Sequence, residues 1–128
     1  MPKLLDYAQA PPAARAVFDD IKAKRGVADV NNFWKALAVD PPTLQRTWDS
    51  LQQVMAPGAL DPVVKEMLYL AVSMAAGCAY CSASHTAAAR AKGMTDAMYG
   101  ELLAIVGMAA ETNRLAEALR VPVDPQFD

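Results

Sequence analysis

The one histidine and both cysteines of this 128-residue chain fall within a single short stretch, Gly77-Cys78-Ala79-Tyr80-Cys81-Ser82-Ala83-Ser84-His85. Residues three and four apart on a helix share a face, so Cys78, Cys81 and His85 form one stripe over two turns, where the thiols can meet each other and the imidazole. Unpaired backbone N–H groups at a helix start favour negative charge, which acidifies thiols in the first turn, and a nearby imidazole can take the proton. The spacing therefore allows a reactive thiolate near neutral pH and a reversible dithiol. Taken alone, the helix-start argument favours the earlier Cys78 as the acidic thiol.

Glu66 is the last charge before a long apolar run from Met67 to Ala89 and belongs to the segment that must pack beside the cysteine helix. In a hairpin, Glu66 lies roughly 16 Å before the turn and His85 roughly 10 Å beyond it, at about 1.5 Å per residue. A crossing angle, the glutamate side chain or a bridging water can span the mismatch, so direct contact does not follow from the sequence. A solvated first-turn glutamate favoured by the helix dipole is the plainer alternative. Cys78, Cys81, His85 and Glu66 are also acceptable zinc ligand types, but structural zinc usually draws on two separated pairs, and no bound metal is expected. Ordinary core cysteines have no reason to adopt C-x-x-C-x-x-x-H at a helix start.

The elements that carry these residues are legible. Alanine occurs 26 times and no alternating β-branched stretch stands out, which predicts an all-helical bundle of about six helices. Pro12 to Arg25 reads as a helix with Ala14, Val17, Phe18 and Ile21 inward, and a short helical piece follows from Asn32 to Val39. Asp40 before Pro41-Pro42 caps a third helix with the stripe Leu44, Thr47, Trp48, Leu51 and Val54. Asp61-Pro62 repeats the signature for a fourth helix, Val63 to Ala76, which is apolar all round after Glu66 and so expected to be central and buried. Gly77 turns the chain into a fifth helix beginning around Cys78 and ending at Lys92-Gly93. Thr95 and Asp96 cap a last helical region through Leu119, with Gly100 and Gly107 as candidate break points. Tyr69 and Tyr80 bracket the motif, and Tyr80 reads either as shaping substrate access or as a plain surface or interface aromatic. Trp34, Trp48 and the methionines read as packing residues.

Composition narrows the functions. With 54% hydrophobic residues the chain can bury a core and reads as one domain over residues 1–128. Twelve basic against 14 acidic residues give a net charge of −2 and no basic stripe, so nucleic acid is not an expected partner. Gly77, Cys78, Ser82, Ser84 and His85 break the longest apolar run and the N-terminus lacks a signal-peptide core, so no membrane association and a cytoplasmic location are expected.

Glu66, Cys78 twelve residues on, Cys81 three further and His85 four beyond that, with Ala89 and Gly93 downstream, resemble the signature of the carboxymuconolactone decarboxylase-like superfamily, in its alkylhydroperoxidase D-like branch. The resemblance covers roughly Asn32 to Leu102. It implies an enzyme, a peroxidase acting on hydrogen peroxide or organic hydroperoxides, in which Cys81 attacks, Cys78 resolves the sulfenic acid to a disulfide, and His85 with Glu66 relays the proton. It further implies no cofactor, an external dithiol or disulfide reductant, and a homo-oligomer, trimer or hexamer. True carboxymuconolactone decarboxylases lack the cysteine pair, which disfavours decarboxylation. A thiol-disulfide oxidoreductase without peroxidase activity, and a non-enzymatic redox sensor or assembly module, are the rival readings.

Overall fold

A computed structural model of the chain describes residues 1–127. In chain order it contains a 3-10 turn Tyr7–Gln9, α1 Pro12–Arg25, α2 Asn32–Leu37, α3 Pro41–Met55, α4 Pro62–Ala75, α5 Ala79–Ala91, α6 Asp96–Leu119 and a 3-10 turn Pro125–Phe127, with no strand among the described residues. Three helices open on a proline, whose missing N–H costs nothing in a first turn. Asp40 caps α3 by accepting from the Thr43 N–H at 3.3 Å, and Thr95 caps α6 by accepting from the Met98 N–H at 3.1 Å. Asp61, expected to cap α4 in the same way, makes no side-chain cap bond; Pro62 alone sets that helix start.

The chain divides into two compact units, Met1–Ala56 and Pro57–Asp128. In the first, α3 packs on α1 and α2 around Val17, Phe18, Ile21, Trp34, Leu44 and Trp48. The two tryptophans meet edge to face with centroids 5.4 Å apart, and Trp48 Nε1 donates to Asp20 Oδ2 at 2.7 Å, so its polar edge is satisfied. The α3 stripe ends earlier than its spacing implies, since Val54 is exposed.

In the second unit α4 packs against both α5 and α6 around Leu70, Ala89, Met94 and Leu102. Methionines 67, 74 and 98 pack at the margin of this cluster, as filler residues should. Two expectations fail here. α4 is not buried all round: Val64, Leu68 and Val72, four residues apart, form an exposed apolar stripe, because α5 and α6 cover only two of its sides. α6 runs unbroken through Gly100 and Gly107. Each interior glycine costs only about 1 kcal/mol, less than the packing of Leu102, Val106 and their neighbours supplies.

Two glycine turns fix the registers that matter. After α4, Gly77 at φ 72° lets its own N–H reach Met74 O at 3.1 Å and the Cys78 N–H reach Ser73 O at 3.0 Å. After α5, Gly93 at φ 110° does the same, with bonds to Arg90 O at 3.1 Å and from the Met94 N–H to Ala89 O at 2.9 Å. Both are six-to-one helix endings in which only glycine takes the positive φ without strain.

Candidate functional site

The first of these turns does two jobs in three residues. It ends α4 through the backbone of Cys78 and makes the same residue the N-cap of α5, whose Sγ accepts from the Cys81 N–H at 3.2 Å. A sulfur thus takes the place usually given to a serine or aspartate oxygen, at the end of the helix where partial positive charge gathers. Both thiols are free and half-buried. The Cys81 thiol and the Cys81 backbone N–H both stabilise charge on the Cys78 sulfur, which holds the Cys78 thiol below its ordinary value despite some desolvation. The same hydrogen bond, seen from the donor side, pushes the Cys81 thiol up, and burial and the charge on Cys78 add to it. Of the two thiols, Cys78 is thus the more acidic.

One turn beyond Cys81, His85 faces α4. Its Nδ1 lies 2.8 Å from Glu66 Oε2, a direct contact rather than a bridged one. Glu66 is 5% exposed, and its second oxygen, Oε1, accepts from Lys92 Nζ at 2.8 Å. Burial pushes this carboxyl up, but the hydrogen bonds from His85 and Lys92, with the charge of Lys92, outweigh it and hold the group below the usual carboxylate value. An ionised carboxylate can only accept, so Nδ1 carries the proton and Nε2 is left as the basic nitrogen. Tyr69, one turn along α4 from Glu66, stacks on the imidazole with centroids 3.5 Å apart and planes at 18°. Burial first, then any negative charge carried by the Cys81 and Cys78 sulfurs and the charge of Glu66, pushes the Tyr69 phenol up. The ring is thus fixed in plane by Tyr69 and in rotation by Glu66.

The structure joins the four residues singled out from the sequence in two pairs, Glu66 with His85 directly and Cys78 with Cys81 through a cap. Tyr80 is exposed at the mouth of the dithiol turn. Two members of the cluster went unassigned in the sequence. Lys92 reads there only as a helix end, although it lies seven residues beyond His85, two turns along the same stripe. Tyr69 stands three residues after Glu66, on the same face of α4. Among the described residues, no group of three or more His, Cys, Asp and Glu side chains is arranged to hold a metal ion, and no helix is long and apolar enough to cross a membrane.

Residues 41–124 match the carboxymuconolactone decarboxylase family. Among solved structures the chain is similar to the alkylhydroperoxidase AhpD core from Rhodospirillum rubrum ATCC 11170, with 55% identity over 99% of this chain and 96% of that one and a TM-score of 0.94. No curated protein matches.

Proposed function

Because the chain belongs to the carboxymuconolactone decarboxylase family and is similar over nearly its whole length to an alkylhydroperoxidase core, we propose that it is a thiol peroxidase that reduces hydrogen peroxide or organic hydroperoxides through Cys78 and Cys81. The observation that carries this reading is the 2.8 Å bond between His85 Nδ1 and Glu66 Oε2, which leaves a basic Nε2 one helical turn from Cys81. A resting proton on Cys81 is what such a base is needed to remove. His85 Nε2 takes that proton, and the Cys81 thiolate attacks the terminal peroxide oxygen. The O–O bond breaks as the S–O bond forms, and the departing alkoxide or hydroxide recovers the proton from His85. The Cys78 thiolate then attacks the sulfur of the Cys81 sulfenic acid, the S–O bond breaks as the S–S bond forms, and the departing hydroxide leaves as water with a proton from solvent. Two electrons have passed from the dithiol to the peroxide, and an external dithiol returns them by exchange. No step calls for a cofactor or a metal. Stopped-flow titration of the reduced protein with hydrogen peroxide and with a bulky hydroperoxide, reading free thiols, tests the proposal; two thiols lost per peroxide are expected, and no loss would overturn it.

A second reading rests on the lowered thiol of Cys78, which suits the first nucleophile of a thiol-disulfide oxidoreductase that never meets peroxide. Turnover of insulin or lipoamide disulfide without peroxide consumption would favour it. We further propose a homo-oligomer, a trimer or hexamer, supported by the exposed stripe Val64, Leu68 and Val72. Light scattering at micromolar concentration should return a mass well above the 13.7 kDa of one chain.

A further inference from the structure

Lys92 is the member of the cluster to which neither the cysteine motif nor the relay gives a role. Its backbone is held in place by the Gly93 turn, where the Lys92 N–H bonds to Ala88 O at 3.2 Å and Ala89 O at 3.1 Å. From there the side chain, 40% exposed, reaches back to a carboxylate that is only 7% exposed, at 2.8 Å. A surface lysine that directs its ammonium onto a buried acid gives up hydration, and the geometry it gains is specific: Glu66 has two oxygens, and each takes one donor, Lys92 on Oε1 and His85 on Oε2. Resting on the dithiol reading above, we propose that Lys92 is a positioning residue that acts through Glu66, clamping the carboxylate so that its free oxygen selects the Nδ1–H tautomer of His85 and leaves Nε2 to exchange protons with the thiols.

The clamp works by removing an alternative. Without Lys92, Glu66 could rotate about its terminal bond or take up a proton, and a protonated Glu66 can donate to Nδ1 and so put the imidazole proton on Nε2, the wrong nitrogen for a base facing Cys81. Glu66 and Tyr69 from α4 contact the imidazole, Lys92 at the C-terminal end of α5 contacts Glu66, and Cys81 and Cys78 at its start lie close enough to Tyr69 to act on its phenol. α6, packed on α4, contributes none of the charged partners of Glu66. Lys92 is therefore the cation that offsets the buried carboxylate whenever His85 is neutral.

The protein has one histidine, so its ring nitrogens give unambiguous 15N signals. At a pH where the imidazole is neutral, the unaltered protein and Lys92→Arg should show the Nδ1–H tautomer. Lys92→Met should show a substantial fraction of the Nε2–H form, and the 13C signal of the Glu66 carboxyl should titrate at higher pH in Lys92→Met than in the unaltered protein. An unchanged tautomer in Lys92→Met, or an Arg variant that behaves like the Met variant, would overturn the proposal. Should Lys92→Met fail to fold, the unaltered protein still decides: protonation of Glu66 at or above the ordinary carboxylate range would refute the clamp, and ionisation below that range supports it. None of these readouts uses peroxide, so the clamp and the peroxidase reading can fail separately.

Discussion

The segment Met1–Ala56 buries two tryptophans, a phenylalanine and an isoleucine, and the indole N–H of Trp48 has its partner in Asp20. The segment Pro57–Asp128 is longer, yet among the described residues its buried apolar ones are Leu70, Ala89, Met94 and Leu102, and the interior it builds also holds a carboxylate. Burying an ion costs several kcal/mol unless its partners are present, so the second segment uses its best-packed helix pair, α4 with α5, to hold Glu66 between two donors rather than to enlarge a core. The same segment leaves Val64, Leu68 and Val72 uncovered. One half of the molecule is optimised for packing and the other for holding charge and sulfur at defined positions, which predicts that damage to the two will be read by different assays.

The largest contrast lies in the cysteines. Cys81→Ser should abolish reaction with peroxide while leaving the helical circular dichroism unchanged, whereas Cys78→Ser should react once and stall as a sulfenic acid that a dimedone-type probe traps. Trapping in Cys81→Ser and silence in Cys78→Ser would reverse the roles and favour the plain helix-start argument. On the packing side, Phe18→Ala removes a side chain that is 1% exposed and should lower stability by about 3–5 kcal/mol in urea melts, with peroxide chemistry of the folded fraction retained. A comparable loss of chemistry per folded molecule would show that the two halves are not functionally separate.

Glu66→Gln and His85→Ala should keep both thiols but slow peroxide reduction on the order of a hundredfold or more, and alkylation of Cys81 should require higher pH in both. Glu66 also makes an acid-stability prediction with a definite sign. Its carboxyl is held below the ordinary value in the folded protein, so its contribution is complete above the unfolded value and is lost as pH falls through the folded one. Melts between neutral and acid pH should show this part of the acid transition missing in Glu66→Gln. The smallest effect is expected at the α3 cap, where Asp40→Ala should cost about 1 kcal/mol and leave the chemistry untouched.

The helices were readable because proline, aspartate, threonine and glycine punctuate them: α1 has the bounds its sequence implies, and the Gly77 and Gly93 turns fall where expected. What resisted was whatever depends on neighbours from elsewhere in the chain. The apolar composition of α4 implied burial on every side, but a helix pattern does not say how many partners will cover it. Gly100 and Gly107 looked like breaks because local propensity cannot register the packing that holds α6 straight. Within the site, Cys78, Cys81 and His85 were visible as a stripe and Glu66 as an isolated charge. Lys92 was hidden because lysine at a helix end has an ordinary explanation in the macrodipole, and only the crossing of α4 and α5 turns its ammonium into a partner for Glu66.

The position of Cys78 as the hinge of two helices links oxidation state to backbone order. A thiolate cap on the Cys81 N–H exists only in the dithiol; joining the two sulfurs replaces an anionic acceptor with a neutral one, and the first turn of α5 loses part of its anchor. The free energy by which an anionic sulfur caps better than a neutral one belongs to the reduced partner of the couple alone. For a two-electron couple about 1.4 kcal/mol corresponds to about 30 mV, so even complete loss of a cap of ordinary strength, around 1 kcal/mol, raises the reduction potential by no more than roughly 20 mV. A local hydrogen bond at a helix end therefore makes the disulfide easier to reduce, and the ease with which a reductant resets the protein is written partly into a three-residue turn.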